Sequence, residues 1–262
     1  MKVVKYLNCK EEDVVGRKYN VFVGISLINR YFTEANIRQH ILWSLENTSG
    51  KVAVIVCDQI HRYNYIVFDK VLADEASEMA LDAGRRMAER VESAISSLPT
   101  KISSRVLIYR WSDIVSSLLY QKRLAEIEKY YDENVEFEKC IKEAVVGALG
   151  KRVAQFELDG TEIATLARYL LEEIAAFVAG VELDGIEYDC HAYPGLSKID
   201  EILIGLNSGS KFPELSRSLK IESSIAVVEA YAENNREEKT VVRKSTIAGE
   251  GIFAKRNILK GE

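Results

Sequence analysis

Five short apolar runs, separated by stretches of helical character, constrain this chain more than any other feature. They are Tyr19 to Ile25, Val52 to Cys57, Val106 to Tyr109, Ile186 to Cys190 and Ile225 to Ala230. Each is rich in β-branched residues and continuous rather than alternating, the pattern of parallel strands covered on both faces. Helices are expected between them: Thr33 to Leu45, Asp74 to Ser97 closed by Leu98-Pro99, and Ser112 to Leu149 with a break near Tyr131 to Asn134. Another runs from Thr161 to Ala179 and ends at Gly180, and Pro213 opens the last at its first turn. This alternation predicts an α/β fold, a Rossmann-like parallel sheet flanked by helices. Such sheets carry their sites at the carboxyl ends of strands. Ser26, Asp58 and His191-Ala192-Tyr193 each follow a predicted strand.

The chain has 262 residues, 47% of them hydrophobic, enough for one large α/β domain with a full core. Its net charge of −5 argues against a nucleic-acid coat protein, although a local basic face would still suffice to bind nucleic acid. Cys9, Cys57, Cys140 and Cys190 form no C-x-x-C pair and suit neither zinc nor a disulfide scaffold. Reduced thiols, a Met-Lys-Val-Val start without an apolar leader and the lack of a membrane-length apolar run predict a cytoplasmic protein. From Asn234 the composition turns charged. Residues 1–233 are therefore expected as the main domain and 234–262 as a charged tail.

The sharpest local feature is Gly24-Ile25-Ser26-Leu27-Ile28-Asn29. Gly24 bares the backbone beside a serine at a strand exit, where the hydroxyl can face a cleft. The same serine could equally cap the following helix. A serine-hydrolase elbow is absent, because Ile28 stands where G-x-S-x-G needs glycine. Further on, Tyr169 and Glu173 stand four apart on one predicted helix face, and Tyr193-Pro194 comes twenty residues later.

Gly-Ile-Ser, Tyr-x-x-x-Glu and the later Tyr-Pro, in this order, resemble the signature of the cyclodipeptide synthases. The stretch Gly24 to Asn36 is also similar to that family's first block, and the resemblance spans about residues 18 to 232. It implies that Ser26 accepts the first aminoacyl group from a tRNA. It implies that Tyr169 and Glu173 hold the substrate's α-amino group, with Glu173 also moving protons, and that Tyr193 orients the nucleophile. An aminoacyl-enzyme, a dipeptidyl-enzyme and ring closure would follow. An aminoacyl-tRNA is already an activated ester, so no cofactor, ATP or metal is expected. Asn29 matches a position that separates two subgroups. It belongs with one of them and Tyr193-Pro194 with the other.

The resemblance further implies a first side-chain pocket of Phe22, Gly24, Val54, Ile108, Ala176 and His191. Asp58 could join it and favour a polar or basic first residue such as histidine, or could instead form a cap or ion pair. The basic helix that grips the first tRNA in the family matches Arg85, Arg86 and Arg90, with a solvated charged face as the plainer alternative. Two aminoacyl-tRNAs are the implied partners, with a monomer and no membrane. The fold is similar to class I aminoacyl-tRNA synthetase catalytic domains, but no His-x-Gly-His is present. Ser245 to Glu262 resembles the opening of a SET domain whose later motifs are missing, so no methyltransferase activity is expected. Two rival functions stay open: a different aminoacyl-tRNA-dependent acyltransferase and a non-catalytic tRNA-binding module.

Overall fold

The computed structural model describes residues 1–233, 240–244 and 250–254. The chain separates into two compact units, Met1–Tyr231 and Ala232–Glu262. In the second, strands β9 (Thr240–Lys244) and β10 (Glu250–Ala254) pair antiparallel. Most of the Ser245 to Glu262 match falls outside the described residues.

The first unit is built on a six-stranded sheet. In chain order its strands are β1 (Lys2–Leu7), β2 (Val21–Ser26), β3 (Val52–Cys57), β4 (Val106–Arg110), β7 (Cys190–Tyr193) and β8 (Ala226–Tyr231). Their spatial order is β1-β8-β7-β2-β3-β4. All neighbours are parallel except β1, which pairs antiparallel with β8 at the edge. Between β2 and β3 the chain steps one way across the sheet, and later, at β7 and β8, it steps the other way. The reversal lies between β2 and β7, so a crevice opens beyond their carboxyl ends, where Ser26 and Tyr193 stand.

Four of the five expected strands need little adjustment, but Ile186 to Cys190 is a correction. Val181–Leu183 (β5) and Ile186–Tyr188 (β6) form a separate antiparallel hairpin. Asp184 and Gly185 turn it with φ of 52° and 72°, the left-handed pair that an Asp-Gly turn supplies. The sheet strand begins only at Cys190. His191 and Tyr193 therefore lie within β7 rather than after it. The edge strand β1, with its many exposed residues, carries no continuous apolar run and was not anticipated.

On one face lie α2 (Glu34–Glu46) and α4 (Ala73–Ser96), over Val23, Ile25, Val52, Val54, Val56 and Val106. The other face is covered by α6 (Trp111–Val115), α7 (Leu118–Glu133), α8 (Val135–Leu149) and α10 (Gly160–Phe177). The break in the long helical region falls at Asn134, whose side chain accepts from Phe137 N and caps α8. Asp159 and Glu162 form a reciprocal capping box that fixes the start of α10. After α10, Gly180 adopts φ 74°, and a Cβ there would meet Tyr188 O at 2.4 Å.

Short pieces complete the unit: α1 (Glu11–Val15), α5 (Thr100–Ser103), α9 (Arg152–Gln155) and α12 (Pro213–Ser218). Besides α1, α5 and α9, two helical segments were not expected from the sequence. One is α11 (Lys198–Asn207), capped by Ser197 and Asp200. The other runs from Gln59 to Asp69 and contains a single α turn, α3 (Arg62–Asn64), between a 3₁₀ turn and a π turn. Its helical period is too short-lived for pattern reading to detect.

Candidate active site

Parallel neighbours in register point their side chains to the same face of a sheet, and successive residues alternate. Phe22, Gly24 and Ser26 therefore share one face of β2. His191, in register with Phe22, and Tyr193 share it on β7. Ala53, Ile55 and Cys57 share it on β3, with Cys57 paired to Ser26. This face is roofed by α10. Tyr169, Glu173, Ala176 and Phe177 fall on one stripe of that helix, three or four residues apart.

The stripe meets Ser26 directly, because Tyr169 and Ser26 share a side-chain hydrogen bond. Tyr193 Oη accepts from Asn29 Nδ2 at 3.4 Å, and the Asn29 carboxamide oxygen accepts from Tyr31 N at 3.0 Å. Burial pushes the Tyr169 and Tyr193 phenols up, reinforced in both by the nearby Glu173 carboxylate, so each stays neutral and able to donate at ordinary pH. Glu173 is raised from its ordinary value of 4.5 to about 8, chiefly by burial and then by the negative Asp200. Among the described residues no lysine or arginine pairs with it. A carboxyl group in that state takes up or releases a proton near neutrality, as a general acid–base must.

His191 lines the inner end of the same face. Its ring stacks on Phe22 with centroids 4.7 Å apart and planes 6° apart, and also packs against Phe177 and Tyr193. Burial lowers it to about 4, so the imidazole is neutral. Neither ring nitrogen has a hydrogen-bond partner. Gly24 makes room for it: a Cβ on Gly24 would stand 3.1 Å from His191 Nε2 and 3.8 Å from Cys57 Sγ.

The structure does not bring every expected pocket residue here. Val54 and Ile108 are in register with Val23, and all three belong to the opposite face, packed under α2 and α4. The one-residue offset from Gly24 and Ile55 turns them away from Ser26, which corrects their assignment to the pocket. Asp58 is also turned away. Its carboxylate is 1% exposed and pairs with Arg110, while Oδ1 accepts from Trp111 N at 3.1 Å. It lies against α4 at Gly84, where a Cβ would come 2.3 Å from Asp58 Cβ. The buried ion pair is thus the reading the geometry supports, and Asp58 is removed from the pocket.

On the outer surface of α4, Arg85 and Arg86 are exposed and both pair with Asp82. Arg90 Nη1 donates to Phe32 O at 3.2 Å, tying α4 to the loop that follows Ser26. Among the described residues no cluster of three His, Cys, Asp or Glu side chains is placed to hold a metal ion. Among them, too, no helix is long and apolar enough to cross a membrane.

Sequence reasoning missed Cys57, Phe177 and Asp200 as neighbours of the site. It also missed Arg62, Tyr63 and Trp111, which hold α10 from its other side. No motif marks them. Only the alternation along β3 and the helical spacing from Glu173 to Phe177 hinted at the first two.

Fold and site together define an α/β enzyme with its cleft at the point where the strand order reverses. The chain belongs to the cyclodipeptide synthase family, whose sequence model matches residues 6–214. It is accordingly an aminoacyltransferase that uses aminoacyl-tRNA to produce cyclodipeptides. No curated protein sequence matches it. By fold it is similar to a cyclodipeptide synthase from Fluoribacter dumoffii, at 17% identity, with 86% of this chain and 96% of that one covered and a TM-score of 0.67. It is similar to a Mycobacterium tuberculosis protein whose structure relates cyclodipeptide synthetases to type I tRNA synthetases, at 17% identity, 72% and 80% coverage and a TM-score of 0.59. A synthase from Candidatus Glomeribacter gigasporarum, solved bound to Phe-tRNAPhe, matches at 17% identity, 81% and 87% coverage and a TM-score of 0.53.

Proposed function

We propose that the two aminoacyl groups are joined by covalent catalysis through Ser26. The hydrogen bond between Ser26 and Tyr169, with Glu173 one turn further along the same helix stripe, carries this reading. Ser26 Oγ attacks the ester carbonyl of the first aminoacyl-tRNA, and the tRNA's ribose hydroxyl leaves with a proton. The α-amine of the aminoacyl-Ser26 then attacks the ester of the second aminoacyl-tRNA. An amide forms, the second tRNA leaves, and a dipeptidyl-Ser26 remains. Its free amine attacks the Ser26 ester, the ring closes, and Oγ departs with a proton.

Each amine must be neutral when it attacks. Glu173, protonating near neutrality, takes the proton from the ammonium of each enzyme-bound intermediate, and Tyr169 helps to hold the nitrogen. Tyr193, on the face of Ser26, orients the nucleophile and relays the proton that Oγ loses and regains. Splitting the reaction at an ester lowers each barrier and keeps the first residue in place while the tRNAs exchange.

The first side chain enters against Phe22, Gly24, Ala176 and His191. A neutral imidazole with two free ring nitrogens favours a polar, hydrogen-bonding side chain, because a purely aliphatic one leaves those nitrogens unpaired. The first tRNA lies along α4. Arg85 and Arg86 can exchange their surface pairing with Asp82 for phosphate, since exposed ion pairs are weak. Reversing both to Glu should weaken tRNA binding and flatten its salt dependence by a slope of about 2, while unchanged affinity at moderate salt would remove them from the interface.

The deciding experiment is bacterial expression with mass spectrometry of the medium and of the intact protein. A cyclic dipeptide is expected, together with an aminoacyl adduct on the wild type. Both should disappear in Ser26→Ala. Product persisting in that variant would sink the covalent route.

A further inference from the structure

The helix that presents Tyr169 and Glu173 is gripped on another side by a polar cluster with no part in the chemistry above. The Glu172 carboxylate is buried and pairs with Arg62, both of whose terminal nitrogens reach it. It also accepts from Tyr63 Oη at 2.8 Å and from Trp111 Nε1 at 3.3 Å. Arg62 is itself fixed. It donates to Gln59 O at 3.0 Å and lies over the Tyr63 ring at 4.3 Å.

These donors are rooted at the carboxyl edge of the sheet, beside Ser26. Arg62 and Tyr63 belong to the Gln59–Asp69 segment, which leaves β3 through Asp58. Trp111 opens α6, and its backbone N–H donates to that same Asp58. The segment also touches the catalytic stripe. The His61 ring meets Tyr169 edge-on with centroids 6.4 Å apart, and His61 Nδ1 is paired with Asn64 Nδ2 at 3.1 Å. One strap therefore contacts α10 at Tyr169 and at Glu172.

Neighbouring side chains on an α-helix point about 100° apart, so the direction of Glu172 fixes that of Glu173. A buried ion pair is a weak source of net stability, and an apolar pair of equal volume often serves as well or better. What an apolar pair lacks is direction. A guanidinium fork loses its paired hydrogen bonds on a small rotation, whereas apolar contacts slide.

We propose that the Arg62–Glu172 pair is a positioning element of the reaction, setting the rotation of α10 so that Tyr169 and Glu173 aim at Ser26. This rests on the reading of those three residues given above. A misplacement of about 1 Å at a reacting group costs on the order of a hundredfold in rate.

The test compares wild type, Arg62→Met/Glu172→Leu, Glu172→Gln and Glu173→Gln. It measures Tm, kcat and KM for aminoacyl-tRNA and the pH profile of kcat. The apolar double variant should fold with Tm near wild type and KM changed less than about threefold, yet lose about 10- to 100-fold in kcat with a displaced pH profile. Glu172→Gln keeps an acceptor for Tyr63 and Trp111 and should retain part of the activity. A folded double variant with wild-type kcat and pH profile overturns the proposal. If the double variant does not fold, Glu172→Gln decides: full kcat and an unshifted profile overturn it, and partial kcat with a shifted profile supports it. An active Glu173→Gln would instead overturn the reading of the site itself.

Discussion

Glu172 and Glu173 are adjacent on one helix and meet opposite surroundings. Glu172 points into Arg62, Tyr63 and Trp111, where its charge is matched by donors. Glu173 points over the sheet face that carries Ser26, with phenols, a thiol and the negative Asp200 around it. A matched carboxylate holds structure together. An unmatched one in a dry cleft is costly to ionise, and that cost is what brings its proton affinity into the working range. A rotation of about 100° between neighbours on one helix thus separates the carboxylate that is matched by donors from the one that is not.

The largest difference should appear on neutralising each residue. Glu173→Gln is expected to lower product formation by about 10²- to 10⁴-fold without loss of Tm, as measured by product mass spectrometry and thermal unfolding. Activity within a few-fold of wild type would end its role in proton transfer. Glu172→Ala leaves the half-buried Arg62 without its partner, and should destabilise the fold by about 2–4 kcal/mol in denaturant titration. A loss under about 1 kcal/mol would mean the pair is solvated, as exposed ion pairs are.

A pH series sharpens the contrast further. Glu173 protonates at about 8 when folded and near 4.5 otherwise, so between those values the folded state binds more protons. Its contribution therefore lowers stability as pH rises through that window, by on the order of 5 kcal/mol across it. Glu173→Gln should remove this slope and be the more stable protein at pH 8. An identical pH dependence of Tm in wild type and variant would contradict the raised value. The smallest effect concerns the two faces of the sheet. Ile108→Val, beneath α4, should cost about 0.5–1.5 kcal/mol and leave the product spectrum unchanged. A changed spectrum would return Ile108 to the substrate pocket.

Much of the site was legible because its spacing is local. Tyr169 and Glu173 share a face by helical period alone, and Ser26 ends an apolar run whose length identifies a buried strand. The errors are equally physical. Val54 and Ile108 were assigned to the pocket although strand alternation, combined with a register that no single strand reveals, turns them to the other face. Asp58 looked available because its position after β3 is the kind that faces a cleft. Its partner Arg110 lies 52 residues away. The hairpin at Asp184-Gly185 was merged with β7 because the apolar residues on both sides of Asp189 read as one run.

By itself the sequence determined the alternation of strands and helices, the helix boundaries set by local caps, and the serine, tyrosine and glutamate of the proposed site. Those depend on contacts within a few residues. The tertiary structure alone decided the strand order, and with it the crevice between β2 and β7. It also decided which glutamate of an adjacent pair is held by an arginine and which is left over Ser26. Those outcomes depend on long-range register and burial, where a shift of one residue on a strand or about 100° on a helix exchanges the inside for the outside.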